Sequence, residues 1–113
     1  MSRALQPISP SRRLSKRVPT PQHVWVYFRC NGRDDVARVR DLSVGGAFIE
    51  AKKPPRDIGA MTNLHFLVQE GQIRADATVR HAADGQGMGL KFTAVREEDR
   101  SKLIALVSRM RSV

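Results

Sequence analysis

Alternation of apolar and polar residues with a period of two is the feature that most constrains the fold of this chain. It runs through short segments between His23 and Phe92, and turn regions rich in glycine or proline separate most of them. Successive side chains of a β-strand point to opposite faces, so this pattern is typical of strands with one face in a core and the other in water. The sequence therefore predicts a mainly β domain.

Six segments of this kind are predicted strands. The first two are separated by Asn31-Gly32, a strong hairpin signal because both residues accept positive φ angles. The predicted strands are residues 23–29, 36–40, 46–51, 61–69, 73–81 and 88–92. Strands joined mostly by short turns hide their hydrogen-bonding edges best by closing on themselves. We therefore expect a six-stranded antiparallel β-barrel.

The last segment, residues 96–112, changes to a period near 3.6. Leu103, Leu106 and Met110 fall on one stripe, acidic residues occupy the first turn and arginines occupy the last. This order of charges suits the helix dipole. The segment is a predicted amphipathic C-terminal α-helix that covers an end or a side of the barrel.

The N-terminal segment carries much of the positive charge. The chain has 20 Lys and Arg against 11 Asp and Glu, a formal net charge of +9, and its first 22 residues hold five of the cations and no acid. Because proline and serine punctuate this segment, we expect residues 1–11 to be a disordered tail and residues 12–22 to be an extended arm. The excess of positive charge indicates an anionic partner.

Length and residue usage exclude several classes of protein. At 113 residues we expect one domain, and the single cysteine cannot form an intramolecular disulfide. No segment resembles a signal peptide or a membrane-spanning helix, so we expect a cytoplasmic protein without membrane insertion. The three histidines lie on different predicted strands, and no serine has an evident catalytic base. We therefore expect no metal, no cofactor and no enzymatic activity.

Two short motifs carry the residues best suited to binding a nucleotide. The first is the pair Arg13 and Arg17 on the predicted arm. Guanidinium groups match both phosphate oxygens and the O6/N7 edge of guanine. Such a pair, taken alone, is also typical of a solvated basic tail.

The second motif is DLSVGG, residues 41–46, between the second and third predicted strands. Asp41 can accept hydrogen bonds from guanine N1 and N2, Ser43 can donate or accept beside it, and Gly46 permits a close backbone approach or a positive φ. The same residue types also build ordinary hairpin turns. This motif alone does not distinguish a ligand site from a turn.

Taken together, RxxxR before the first strand and DxSxxG after the second resemble the double signature of the PilZ domain family. The resemblance runs from about Arg12 to the C-terminus, and residues 87–92 (GMGLKF) are similar to the last strand of the family. It implies a six-stranded antiparallel barrel that binds cyclic di-GMP, commonly as an intercalated dimer of the dinucleotide.

The resemblance also implies a set of ligand-binding residues: Arg12, Arg13, Arg17, Asp41, Ser43 and Gly46. The two motif arginines would hold phosphates and guanine edges, Asp41 and Ser43 would hydrogen-bond a guanine, and Gly46 would shape the turn. In the family, the residue before the first motif arginine influences the number of dinucleotides bound, and Arg12 favours two. The output is then expected to pass to an effector protein as the ligand orders the arm.

Two other functions remain open from the sequence. A small basic barrel can bind RNA or DNA with its arm along the phosphates, although aromatic residues make up only 5% of this chain and offer few stacking surfaces. A PilZ-like fold can also act as a scaffold through protein partners without a nucleotide. Trp25 and Tyr27 have rings that can stack on a base, but as residues within a strand they are interpreted as barrel-packing residues or as part of a partner surface.

Overall fold

The computed structural model describes residues 18–19, 24–51, 54 and 57–111. These residues form a mainly β domain that ends in a helix. Its elements are β1 (Val18–Pro19), β2 (Trp25–Cys30), β3 (Arg33–Leu42), β4 (Gly46–Glu50), β5 (Met61–Val68), β6 (Gly71–Ala83), β7 (Gly87–Val95) and α1 (Glu97–Arg111).

The six longer strands close into an antiparallel barrel, which confirms the predicted fold. Their order is β3-β2-β5-β6-β7-β4, and β4 pairs back onto β3. The short strand β1 lies beside the C-terminal end of β3, beyond the part of β3 that pairs with β2. It falls within the segment predicted as the arm, where no strand was expected.

The β2–β3 hairpin is built by the predicted two-residue turn. Asn31 has a φ of 54° and Gly32 a φ of 75°, both in the left-handed region that this kind of turn requires. Because the turn is so tight, Arg33 pairs directly with Cys30. β3 therefore begins at Arg33, three residues before its predicted start, and includes the polar residues 33–35.

The other strand boundaries also differ from the predicted ones, and in β6 and β7 backbone pairing continues beyond the alternating apolar segment. β6 and β7 are both longer than predicted, whereas β4 and β5 each end one residue earlier. β2 begins at Trp25 and ends at Cys30, and α1 is described from Glu97 to Arg111. Inside the barrel the alternation is as predicted, and Phe66 and Phe92 meet edge to face with their ring centroids 6.5 Å apart.

Helix α1 buries its apolar stripe against the barrel, with Leu103, Leu106 and Met110 in the core. Three polar contacts attach it to the β5–β6 hairpin. Arg109 donates to Glu70 at 2.6 and 3.1 Å, Lys102 donates to the carbonyl of Gln72 at 3.3 Å, and the buried Asp99 accepts from the backbone N–H of Arg74 at 2.9 Å. Both ends of the helix are therefore fixed to β6 and its turn. No helix in the described ranges is long and apolar enough to cross a membrane.

Asp99 makes this attachment dependent on pH. The hydrogen bond from Arg74 N–H, with the ammonium of Lys102 nearby, holds the pKa of Asp99 below its ordinary value against the opposing effect of burial. A depressed folded-state pKa contributes stability above the unfolded pKa, about 3.9, and this stability disappears as pH falls through the folded value. Asp99→Asn should therefore lower the melting temperature at pH 7.

Thermal unfolding of wild type and Asp99→Asn, followed by circular dichroism at pH 7, 5 and 3, checks this prediction. The difference between the two melting temperatures should shrink below about pH 4. Glu97→Gln, at an exposed acid of the same helical turn, is the control and should change little at any pH. A difference between wild type and Asp99→Asn that stays constant over this range would contradict the assigned role.

Candidate functional site

The DLSVGG segment forms the tight connection between β3 and β4, and Ser43 organises it. The Ser43 hydroxyl accepts hydrogen bonds from the backbone N–H groups of Gly45 at 3.0 Å and Gly46 at 3.1 Å. The backbone N–H of Ser43 also donates to the carbonyl of Gly46 at 2.8 Å. Only 2% of Ser43 is exposed, so its hydroxyl stabilises the turn from a buried position.

Gly46 is required by the neighbouring strand. A Cβ atom at this position would overlap the carbonyl oxygen of Leu90 on β7. Gly46 is not among the residues with a positive φ. The sequence left two reasons for a glycine here, a positive φ or a close backbone approach. The structure shows the close approach, and the approaching backbone is that of β7.

Asp41 stands at the end of β3, just after an irregularity in the pairing with β4. The register shifts between Val39 and Asp41, so Arg40 occupies a bulge. Asp41 is half-buried, and its Oδ1 atom is shielded from solvent. A guanidinium and a carboxylate on consecutive residues, Arg40 and Asp41, therefore lie next to the turn of residues 43–45.

Asp41 begins a row of paired residues that crosses four strands of the barrel. Asp41 pairs with Phe48 on β4, Phe48 pairs with Gly89 on β7, and Gly89 pairs with His81 on β6. We call these four residues the Asp41 row. Since Gly89 has no side chain, the imidazole of His81 lies directly over it, where any Cβ would overlap the ring.

Aromatic and cationic groups gather on the Asp41 row. The guanidinium carbon of Arg40 lies 4.0 Å from the centroid of the Phe48 ring, a cation–π contact that holds the exposed arginine beside Asp41. The Phe48 and His81 rings are 5.8 Å apart and tilted by 34°. The row therefore offers a carboxylate, a fixed guanidinium and an imidazole on one surface, which is a set of groups able to contact a base and a phosphate.

The structure brings together three of the six residues predicted for the site. Asp41 is the last residue but one of β3, Ser43 begins the turn after it, and Gly46 begins β4. Ser43 and Gly46 are joined by a hydrogen bond across the turn. The predicted residues Arg12, Arg13 and Arg17 lie outside the described residues. Ligand contacts of all six remain predictions.

Three further candidates were not found by sequence reasoning: Arg40, Phe48 and His81. His81 is exposed, and from the sequence it was considered only as a metal ligand, for which it has no neighbour. Its relation to Phe48 and Arg40 depends on the register of four strands and on a bulge, neither of which a single-sequence pattern provides. Within the described ranges, no group of three or more His, Cys, Asp or Glu residues is arranged to hold a metal ion.

Comparisons with known proteins agree with the fold. The model of the PilZ domain matches residues 11–109. The structure is similar to the PilZ domain of CeSA from a cellulose-synthesizing bacterium, with 19% identity, a TM-score of 0.68, and coverage of 86% of this chain and 99% of the other. A search of curated protein sequences gives no match.

The similar structures include complexes with c-di-GMP. The PilZ domain of YcgR from Escherichia coli has 18% identity and a TM-score of 0.71, and the alignment covers 90% of this chain and 93% of that one. PlzA from Borreliella burgdorferi has 14% identity and a TM-score of 0.65, and the alignment covers 90% of this chain but only 41% of PlzA.

The geometry of the turn predicts that Ser43 stabilises the protein before any ligand binds. Ser43→Ala removes the acceptor for two backbone N–H groups in a buried connection, which should cost about 1 to 3 kcal/mol of unfolding free energy. Urea denaturation of the ligand-free protein measures this cost. Ser101→Ala, at an exposed serine of α1, is the control and should cause no loss. Equal stability of Ser43→Ala and wild type would show that the hydroxyl has no structural role.

Proposed function

This chain belongs to the PilZ domain family, and from that premise we propose that it is a receptor for cyclic di-GMP that binds the dinucleotide over the Asp41 row. The arginines of the arm would hold the phosphates and guanine edges from the other side of the ligand. The receptor would then act through a protein partner.

The observation that carries this proposal is the position of β1. Val18 pairs with Leu42 and Pro19 pairs with Asp41, so the segment that directly follows Arg17 is hydrogen-bonded to the DLSVGG motif. Consecutive Cα atoms are only about 3.8 Å apart, and five extended residues span about 17 Å. This chain length would allow both motif arginines, Arg13 and Arg17, to contact a ligand bound beside Asp41.

The chemistry of the Asp41 row fits a guanine dinucleotide. A carboxylate can accept from guanine N1 and N2, which are both donors, whereas adenine offers a different pattern on that edge. Arg40 supplies a guanidinium fixed over Phe48, and such a group can contact a phosphate or stack on a base. Lys91, whose backbone pairs with Gly46, adds another exposed cation near the turn.

The comparisons support the nucleotide as the ligand class. The YcgR domain and PlzA, both similar in fold to this chain, are described with c-di-GMP bound. At 14–18% identity the likeness does not assign residues, so the contacts proposed here rest on the geometry of this chain. Arg12, next to the first motif arginine, favours two dinucleotides per receptor.

Ordering of the arm is the proposed relay. β1 contacts helix α1 as well as β3, so the segment that follows Arg17 joins the predicted ligand site to the helix. Phosphates that draw the arginines onto the barrel would fix the arm relative to both elements, creating a surface that the unliganded protein does not present.

Single substitutions separate specific contacts from general charge. Arg13→Ala and Asp41→Ala should each cost about 2 to 5 kcal/mol of affinity for cyclic di-GMP, because each leaves a charged or polar ligand group without its partner. Lys16→Ala, which removes a neighbouring positive charge from the same arm, is the matched control and should cost far less. Isothermal titration calorimetry measures all three, and thermal unfolding verifies that each variant is folded.

Equal losses from the three variants would mean that the arm acts by charge alone. Absence of binding by the wild type at micromolar ligand would contradict the receptor proposal. Strong binding to arbitrary oligonucleotides, with a steep dependence on salt, would instead favour the nucleic-acid function.

The relay predicts a change in the amide exchange of the arm. Exchange at residues 12–18 should slow by about tenfold or more when cyclic di-GMP is added, because a segment held by its ligand opens less often. Hydrogen–deuterium exchange followed by mass spectrometry measures this change, with Asp41→Ala as the control that should show no slowing. Binding by the wild type with unchanged exchange in the arm would contradict the relay while leaving the receptor proposal intact.

A further inference from the structure

The outer face of β3, β2 and β5 exposes a cluster of large apolar side chains. Trp25 is 50% exposed, Tyr27 53%, Val36 47% and Leu67 61%. Tyr27 pairs with Val36 on β3 and with His65 on β5. Trp25 lies two residues before Tyr27, and Leu67 lies two residues after His65, so both are on the same face as Tyr27. Trp25 and Tyr27 thus point away from the core, so barrel packing, the first of the two roles considered for them, is wrong.

A cleft of about 740 Å³ adjoins this cluster and continues the face across β5 and β6 to the end of β7. Residues of five neighbouring strands, β3, β2, β5, β6 and β7, line it. Tyr27, His65 and Arg74 pair in register across β2, β5 and β6 and form one side of the cleft. We call the four apolar side chains together with His65 and Arg74 the Tyr27 face.

Three arginines line the cleft, and Arg74 is the best placed of them to bind an anion, because the other two are paired with acids. Arg96 lies 3.5 Å from Glu98. Arg29 is engaged by Asp34 through two hydrogen bonds, at 2.6 and 3.1 Å, and Asp76 accepts from Asn63 at 2.8 Å. The guanidinium of Arg74 donates to the amide oxygen of Gln72 at 3.2 Å, which is a neutral partner. Within the described residues, no ion pair neutralises the positive charge of Arg74.

From this arrangement we infer that the Tyr27 face is a docking surface for an acidic segment of a partner protein. Apolar side chains of that segment cover Trp25, Tyr27 and Leu67, and one of its carboxylates binds Arg74. Exposed aromatic residues beside arginine are the composition of interface hot spots. The inference rests on the proposed function, because the face supplies the partner contact through which the receptor acts.

A second copy of the chain fits this surface poorly. A two-fold symmetric contact would bring equivalent arginines towards each other, between molecules that each carry a formal charge of +9. The first 22 residues of the chain are no better suited, because they contain five cations and no acid. Complementary charge therefore favours an acidic segment from another protein.

The Tyr27 face and the Asp41 row are different surfaces. The Asp41 row runs from the C-terminal part of β3 through β4 and β7 to His81 on β6. The Tyr27 face runs from Val36, earlier on β3, through β2 and β5 to Arg74, earlier on β6. The two surfaces therefore have no residue in common. Failure of nucleotide binding and failure of partner docking can therefore be told apart. Leu67→Ser and Arg74→Glu, whose residues do not line the cleft that Trp25 and Val36 share with Arg40, should leave affinity for cyclic di-GMP within about twofold.

A displayed library of random 12-residue peptides, selected on the nucleotide-free wild-type protein, tests the inference with a defined probe. Enriched peptides should combine Asp or Glu with aromatic or aliphatic residues. Their affinity, measured by fluorescence anisotropy, should fall about tenfold or more with Leu67→Ser and with Arg74→Glu. The backbone N–H of Arg74 still reaches Asp99 in the second variant, so the helix attachment is preserved.

Matched controls lie on the exposed side of α1. Ile104→Ser and Arg100→Glu make the same kinds of change there and should alter peptide affinity by less than about twofold. Absence of enrichment, enrichment of basic peptides, or equal losses from the face and helix variants would each overturn the inference. A concentration-dependent dimer in sedimentation that Leu67→Ser abolishes would also overturn it, since the occupant would then be a second copy.

Discussion

The close approach of β4 to β7 is the constraint on which the rest of this structure depends. A Cβ at Gly46 would overlap the carbonyl of Leu90, and a Cβ at Gly87 would overlap the carbonyl of Ile49. Both glycines therefore let the two backbones pair along the whole of β4 and close the barrel. Closure removes exposed strand edges, and it also brings four strands into one continuous register at the site.

The geometry of the site depends on that closure. Asp41, Phe48, Gly89 and His81 lie in one row because β3, β4, β7 and β6 are paired in this register, with a bulge at Arg40. Ser43 and Gly46, which look like ligand residues in the sequence, work first as structural residues of the turn. A side chain that fixes the turn also fixes the position of Asp41, so a structural role and a functional role are compatible in this motif.

The sequence predicted those features that depend on local periodicity and turn chemistry. Alternation identified the inward residues of the barrel, Asn31-Gly32 identified the first hairpin, and the stripe of Leu103, Leu106 and Met110 identified the helix. The orientation of Trp25 and Tyr27 could not be predicted because β2 is apolar on both faces, so alternation gives no sign of which face is buried. Arg40, Phe48 and His81 were missed because strand register and bulges are set by tertiary packing.

The central claim is that cyclic di-GMP binds over the Asp41 row. Mapping of backbone amide chemical shifts by two-dimensional NMR, during titration of the wild-type protein with cyclic di-GMP, tests it most directly. We expect the largest changes among the barrel strands at residues 40–48 and at His81 and Gly89, while Trp25 and Leu67 change little. Largest changes at Trp25, Tyr27 and Leu67, with the Asp41 row unaffected, would contradict the claim.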